Sequence, residues 1–223
     1  MSSTSTAIPS TIAQVDIIDT ILGAERAGVL ADIRAARPDA RRNAQRSFDA
    51  LFSPVDDAEV SLSERLTIAA FTVGLHDEAL LWPFYSGKLA EHPAQSTALA
   101  AELAEGAGHG PFGTYREAGL VAESTDGGRY RVTQENREVF GPRLVAALEH
   151  THLLVFRPRE ASPAALDTLI DAGWSVTGIV TLSQLVAYLS FQLRVVHGLA
   201  ELAADIVNTD TDTDTDTDKD TDR

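Results

Sequence analysis

The feature that most constrains this chain lies near its C-terminus. Ile179, Leu182, Val186, Leu189, Leu193, Val196 and Leu199 recur at spacings of three and four, the repeat that lines up side chains on one face of an α-helix. Val180, Leu185, Phe191 and Val195 widen the stripe. A helix apolar over most of its circumference belongs at the centre of a helical protein or at a contact between subunits. The same run carries Gln184, Gln192, Arg194, His197 and Glu201, too many polar groups for a membrane span.

The rest of the chain punctuates itself as further helices, and the fold class predicted is all-α. Apolar spacing predicts helices over 12–22 and 25–36, and Pro38 suits the first turn of a third that runs through Phe48, Leu51 and Phe52. Ser61-Leu62-Ser63-Glu64 is a capping box opening a helix to about Leu75. Helices over 77–90, with Pro83 as a kink or first turn, and over 94–105 follow. Glycines, Pro111 and a Thr125-Asp126-Gly127-Gly128 turn make about 106–133 an irregular insertion or lid, with 129–132 a short strand or an extended loop. Helical pattern resumes over 134–154. Ser162-Pro163 opens another helix that Gly173 closes. The organisation expected is a disordered 1–10, one helical domain over 11–207, and a disordered tail over 208–223.

That tail alternates Thr with Asp. Seven aspartates against Lys219 and Arg223 place a net −5 there and leave −10 on the remainder of a chain of formal charge −15. Such a segment cannot offset the entropy of ordering, and its carboxylates would hold hard cations only weakly. Charge of this sign argues against nucleic acid and anionic membranes as partners. Met1 to Ser10 has no basic start and no apolar core, so it does not read as a secretory signal, and a cytoplasmic location is expected. The chain has no cysteine, which removes disulfides, zinc–thiolate sites and thiol catalysis.

Leu169-Ile-Asp-Ala-Gly-Trp174, Ile179-Val-Thr-Leu-Ser-Gln-Leu185 and Phe191-Gln-Leu-Arg-Val-Val196 resemble the C-terminal half of the carboxymuconolactone decarboxylase / alkylhydroperoxidase D-like superfamily. There a short helix ends at Ala-Gly and a long helix follows with a Gln and an Arg on its buried side. Ser63-Glu-Arg-Leu66 to Leu89 is similar to that family's core helical hairpin. The resemblance covers about 62–89 and 147–202 and implies the fold more than an activity. It also implies a homo-oligomer, as do the long apolar helix faces.

The peroxidase branch of that family uses a glutamate, a Cys-x-x-Cys pair and a histidine a few residues on. Glu64 matches the glutamate, but the thiol positions fall near His76 and Ala79, and the histidine falls near Pro83 or Phe84. Thiol-dependent peroxide reduction by this chain alone is therefore not expected. The resemblance then implies a redox-inactive binding or partner subunit, beside further copies or a thiol-bearing relative. The alternative is a cysteine-free acid–base enzyme acting on a small organic acid. It would need an acid–base group such as Glu64 or His76 and a cation such as Arg194 to clamp a carboxylate.

Each candidate also has a plain structural reading. Glu64 is accounted for by the capping box. His76-Asp77-Glu78 is a polar turn, and His76 beside two acids would be favoured in its charged form. Ser183, Ala187, Ser190, Arg194 and His197 share one line of the last helix, flanked by Gln184 and Tyr188, and a buried guanidinium there would need an anion. Gln184, Arg194, Trp82 and Tyr85 are the candidate substrate-binding residues, with Trp82, Phe84 and Tyr85 equally ordinary core aromatics. His150 and His152 lack a third ligand, so neither a metal site nor a cofactor is expected.

Overall fold

The computed structural model describes the backbone of residues 16–90 and 93–217, and side chains as far as 209. It is all-α, with no strand among the described residues. The segments 1–10, 11–15 and 218–223 lie outside the described residues.

Three short helices, α1 (Ile17–Leu22), α2 (Ala24–Val29) and α3 (Ala31–Ala35), precede α4 (Pro38–Phe52). The helix expected over 25–36 is thus two pieces joined at Leu30, which is fully buried. Asp16 caps α1 by accepting from the Ile18 and Asp19 N–H groups, and also takes Arg34 Nη2 at 2.7 Å and Arg41 Nε at 3.1 Å. Arg41 Nη2 reaches Asp19 at 2.7 Å. These four charges tie α1, α3 and α4 into one unit. Pro38 occupies the first turn of α4, as its fixed φ favours.

The centre of the molecule is α5 (Leu62–Leu75). Ile68, Ala69, Ala70 and Phe71 are consecutive and fully buried. Four successive positions span the whole circumference of a helix, so α5 is enclosed on every side. Around it pack α4, α6 (Trp82–Lys88), α7 (Pro93–Gly106), α8 (Arg137–Phe156) and α10 (Val176–Thr217). The helix expected over 77–90 begins only at Trp82, with Pro83 in its first turn. In α8, Gly141 adopts φ +71 before Pro142. Pro142 lacks an N–H to continue the preceding turn, so a short lead-in bends there into the main helix.

Helix α9 (Pro163–Asp171) starts on Pro163. Ser162 stands at the cap position, but its side chain makes no capping hydrogen bond. At the other end Gly173, at φ +92, donates to Ile170 O at 2.9 Å and Trp174 donates to Leu169 O at 3.0 Å. That pair of bonds is a Schellman motif, and the left-handed residue it requires is the glycine singled out in the sequence.

Between α7 and α8 the chain is irregular apart from one 3₁₀ turn and an isolated antiparallel bridge between Gly113 and Thr125. Residues 129–132 form no strand. The insertion is pinned rather than free. Phe112 N–H donates to Phe156 O at 2.6 Å, Val132 N–H to Glu149 at 3.2 Å, and Arg157 Nη1 to Gly127 O. A Cβ on Gly127 would stand 2.4 Å from the Phe112 ring, so the chain crosses that ring where only glycine fits.

Helix α10 carries the apolar repeat. Leu182, Leu185, Leu189 and Val196 are fully buried against α5 and its neighbours. Its backbone stays helical through Thr217, ten residues into the tail expected to be disordered from 208.

Candidate functional site

The two ends of α5 receive the candidate acids, and they are built differently. At its N-terminus Ser61 Oγ accepts from Glu64 N–H while Glu64 Oε2 accepts from Ser61 N–H at 2.9 Å, so the capping box forms as the sequence implies. Glu64 Oε1 accepts from Arg143 Nε at 2.6 Å. Arg143 also donates to Gly173 O at 2.7 Å and to Glu59 O, and its guanidinium lies 4.2 Å from the Trp174 ring centroid. Trp174 Nε1 returns a bond to Arg143 O at 2.9 Å. Glu64 is therefore consumed in joining α5, α8 and the α9–α10 corner.

At the C-terminus of α5, His76 caps the helix and its Nδ1–H donates back to Thr72 O at 2.8 Å. Asp77 follows at φ +51, the only non-glycine positive φ among the described residues, and a left-handed aspartate is tolerated but costly. Its carboxylate has no partner among the described residues, and it stands where the partial negative charge of a helix end disfavours an anion. Glu78 is partly engaged: Oε1 accepts from Leu80 N–H at 3.3 Å and Oε2 lies 3.5 Å from His197 Nδ1.

Asp77 and Glu78 open onto a cleft of about 710 Å³. Gly74, Leu75, Trp82, Leu103, Ala104, Ala107 and Gly108 give its lining apolar surface, and His109 also lines it. The C-terminal ends of α5 and α7 both point at it. No lysine or arginine lines it among the described residues, and two carboxylates and two helix ends of the same sign act on whatever enters.

The expected site residues do not converge. Glu64 and His76 lie at opposite ends of α5, about 18 Å apart along its axis. Arg194 is exposed rather than buried, with Nη1 donating to Ser190 O at 2.6 Å. Gln184 is exposed as well. The inward side of α10 follows the apolar spacing, but Val180 and Phe191 widen the stripe outward, where Arg194 and Gln184 also lie. Tyr85 is fully buried away from the cleft, and its hydroxyl donates to Gln192 Oε1 at 2.6 Å. Burial raises the Tyr85 and Tyr188 phenols above their usual range, so both stay neutral. Of the named candidates, Trp82 lines the cleft, and the His76 cap stands between Leu75 and Asp77, which also line it.

A second polar centre escaped sequence reasoning. Glu102 of α7 is fully buried and accepts from Tyr130 Oη at 2.5 Å, Thr133 N–H at 3.1 Å and Asn136 Nδ2 at 2.7 Å. Burial pushes its pKa up, but bonds from Thr133, Tyr130 and Asn136 together outweigh burial and hold it below the usual carboxylate range. Tyr130 stacks on His152 at 4.9 Å, and His152 Nε2–H donates to Gly106 O at 3.1 Å. Burial lowers the pKa of both His150 and His152. Every polar atom of Glu102 is spent on the insertion, so this cluster is an anchor. No group of three or more His, Cys, Asp or Glu suited to a metal occurs among the described residues.

Comparison with known proteins adds no assignment: no protein-family model, no curated protein and no solved structure matches this chain.

Proposed function

We propose that the chain is a non-redox binding protein whose site is the cleft between the α5–α6 turn and the end of α7, and that its ligand is a small organic cation with an apolar body. The observation that carries this reading is the cleft's composition: mostly apolar residues with the Trp82 indole, two carboxylates in Asp77 and Glu78, one imidazole in His109, and no lysine or arginine among its described lining residues. Its volume of about 710 Å³ suits a small molecule. An ammonium or guanidinium group would meet the two carboxylates, and its carbon body would lie on Leu75, Leu103 and the Trp82 face, where cation–aromatic attraction adds to burial.

This reading develops the binding-subunit expectation and keeps the proposed kinship with a cysteine-free carboxymuconolactone decarboxylase / alkylhydroperoxidase D-like protein. That kinship rests on the sequence segments quoted above; the Ala-Gly end of α9 before a long helix is in keeping with it, whereas Gln184 and Arg194 of that helix face outward rather than inward. We favour this reading over the acid–base alternative on an organic acid. Its proposed clamp, Arg194, is outside the cleft, and a carboxylate would enter against Asp77 and Glu78.

Calorimetric titration with benzyltrimethylammonium and, separately, phenylacetate tests the proposal. The expected result is saturable binding of the cation and none of the anion. Equal binding of both, or binding of phenylacetate alone, overturns it.

A further inference from the structure

The outer face of α10 is unlike the rest of the surface. Val176, Val180 and Phe191 are 72%, 50% and 47% exposed. With Ala187, also exposed, they follow a single line along the helix. Leu166 and Ile170 of α9 are exposed beside the start of that line. No Asp or Glu occurs from 172 to 200, although the chain has 33 acidic residues in 223. At that density about four would fall in such a stretch by chance. Interface centres are depleted of charge in this way, and a helix buried on one face gains nothing from apolar residues on the other.

We propose that this face receives a second copy of the chain, with α10 antiparallel to its partner about a two-fold axis at Ala187. Charge selects that occupant. Two bodies of net −15 repel each other over most of their surface, and the acid-free run of α10 lets the two helices meet along their length without opposing carboxylates. Shape agrees. Antiparallel pairing about Ala187 sets each Phe191 ring beside Ser183 of the partner subunit and the partner's Ala187, both small. It sets Val176 opposite the partner's Gly198, where a Cβ would meet only open space. The stem of Arg194 then lies over the partner's Val180, leaving its charge at the rim.

Residues 176–198, which overlap under this pairing, make a strip about 35 Å long and 10 Å wide. That strip, with Leu166 and Ile170, is on the order of 400 Å² per copy, the size of a weak, transient interface rather than a stable one. The dimer should therefore be reversible.

Sedimentation velocity of the full chain from 1 to 200 µM tests this. The expected result is a concentration-dependent monomer–dimer equilibrium that Ala187→Glu shifts at least tenfold toward monomer, since it opposes two carboxylates on the axis. Phe191→Ala should shift it the same way without introducing charge, and Val55→Glu, at a fully exposed site elsewhere, should leave it unchanged. A wild-type monomer throughout the range overturns the proposal, as does a dimer that Ala187→Glu and Phe191→Ala leave intact. A monomer that instead co-sediments with zwitterionic vesicles also overturns it, and would assign the face to a membrane surface.

Discussion

The two ends of α5 carry acids in opposite circumstances. At the N-terminus Glu64 sits where the helix dipole favours an anion, completes a capping box and pairs with Arg143. At the C-terminus Asp77 sits where the dipole disfavours it, in a backbone conformation that favours glycine, with no partner for its carboxylate among the described residues. One acid is accounted for by what it does for the fold. The other weakens the fold locally, and what it does instead is face a cleft. Strained, unfavourably placed polar groups of this kind are drawn to sites where something binds.

The largest expected effect lies at the satisfied end. Arg143→Ala removes the partner of Glu64, two carbonyl bonds and the contact on Trp174 together. It should cost about 2–3 kcal/mol in urea denaturation, because the groups left behind are part-buried and unpaired. Glu64→Ala should cost about 1–2 kcal/mol by removing half of the capping box and the pair. Neither should change cation affinity at the far end of the helix. A loss of binding in either variant would break the contrast between the two ends.

A smaller effect is the pH dependence of stability. His150 and His152 have pKa values lowered by burial, so the folded state keeps them neutral while the unfolded chain takes up protons at its ordinary value near 6.5. Their contribution to stability is complete above about pH 6.5 and is lost as pH falls below it. Melting temperature should therefore decline from pH 7 to pH 5.5, and His152→Gln should flatten part of that slope.

How much of this was legible depended on how far apart the partners lie in sequence. The capping box at Ser61 and Glu64, Pro38 at the start of α4 and Gly173 at the end of α9 all act within a few residues, and each was readable. The core face of α10 was readable from its spacing. Its outward face was not, because Val180 and Phe191 extend the apolar stripe onto the exposed side and concealed that Arg194 and Gln184 share it. The buried polar residue of that helix is Gln192, whose partner Tyr85 lies 107 positions away. Arg143, which binds Glu64 across 79 positions, had no signal beyond following a Gly-Pro pair. Nothing local in His76-Asp77-Glu78 shows that Asp77 turns left-handed or that α7 ends opposite it.

The most direct test of the account is Asp77→Asn, measured for stability and for benzyltrimethylammonium affinity in the same preparation. Asparagine keeps the size, adopts the left-handed conformation and removes the charge from the end of α5. The account predicts a melting temperature unchanged or higher, by up to about 1 kcal/mol of stability, together with an affinity at least tenfold weaker. A less stable protein whose affinity is unchanged would contradict it, since Asp77 would then serve the fold and the cleft would owe it nothing.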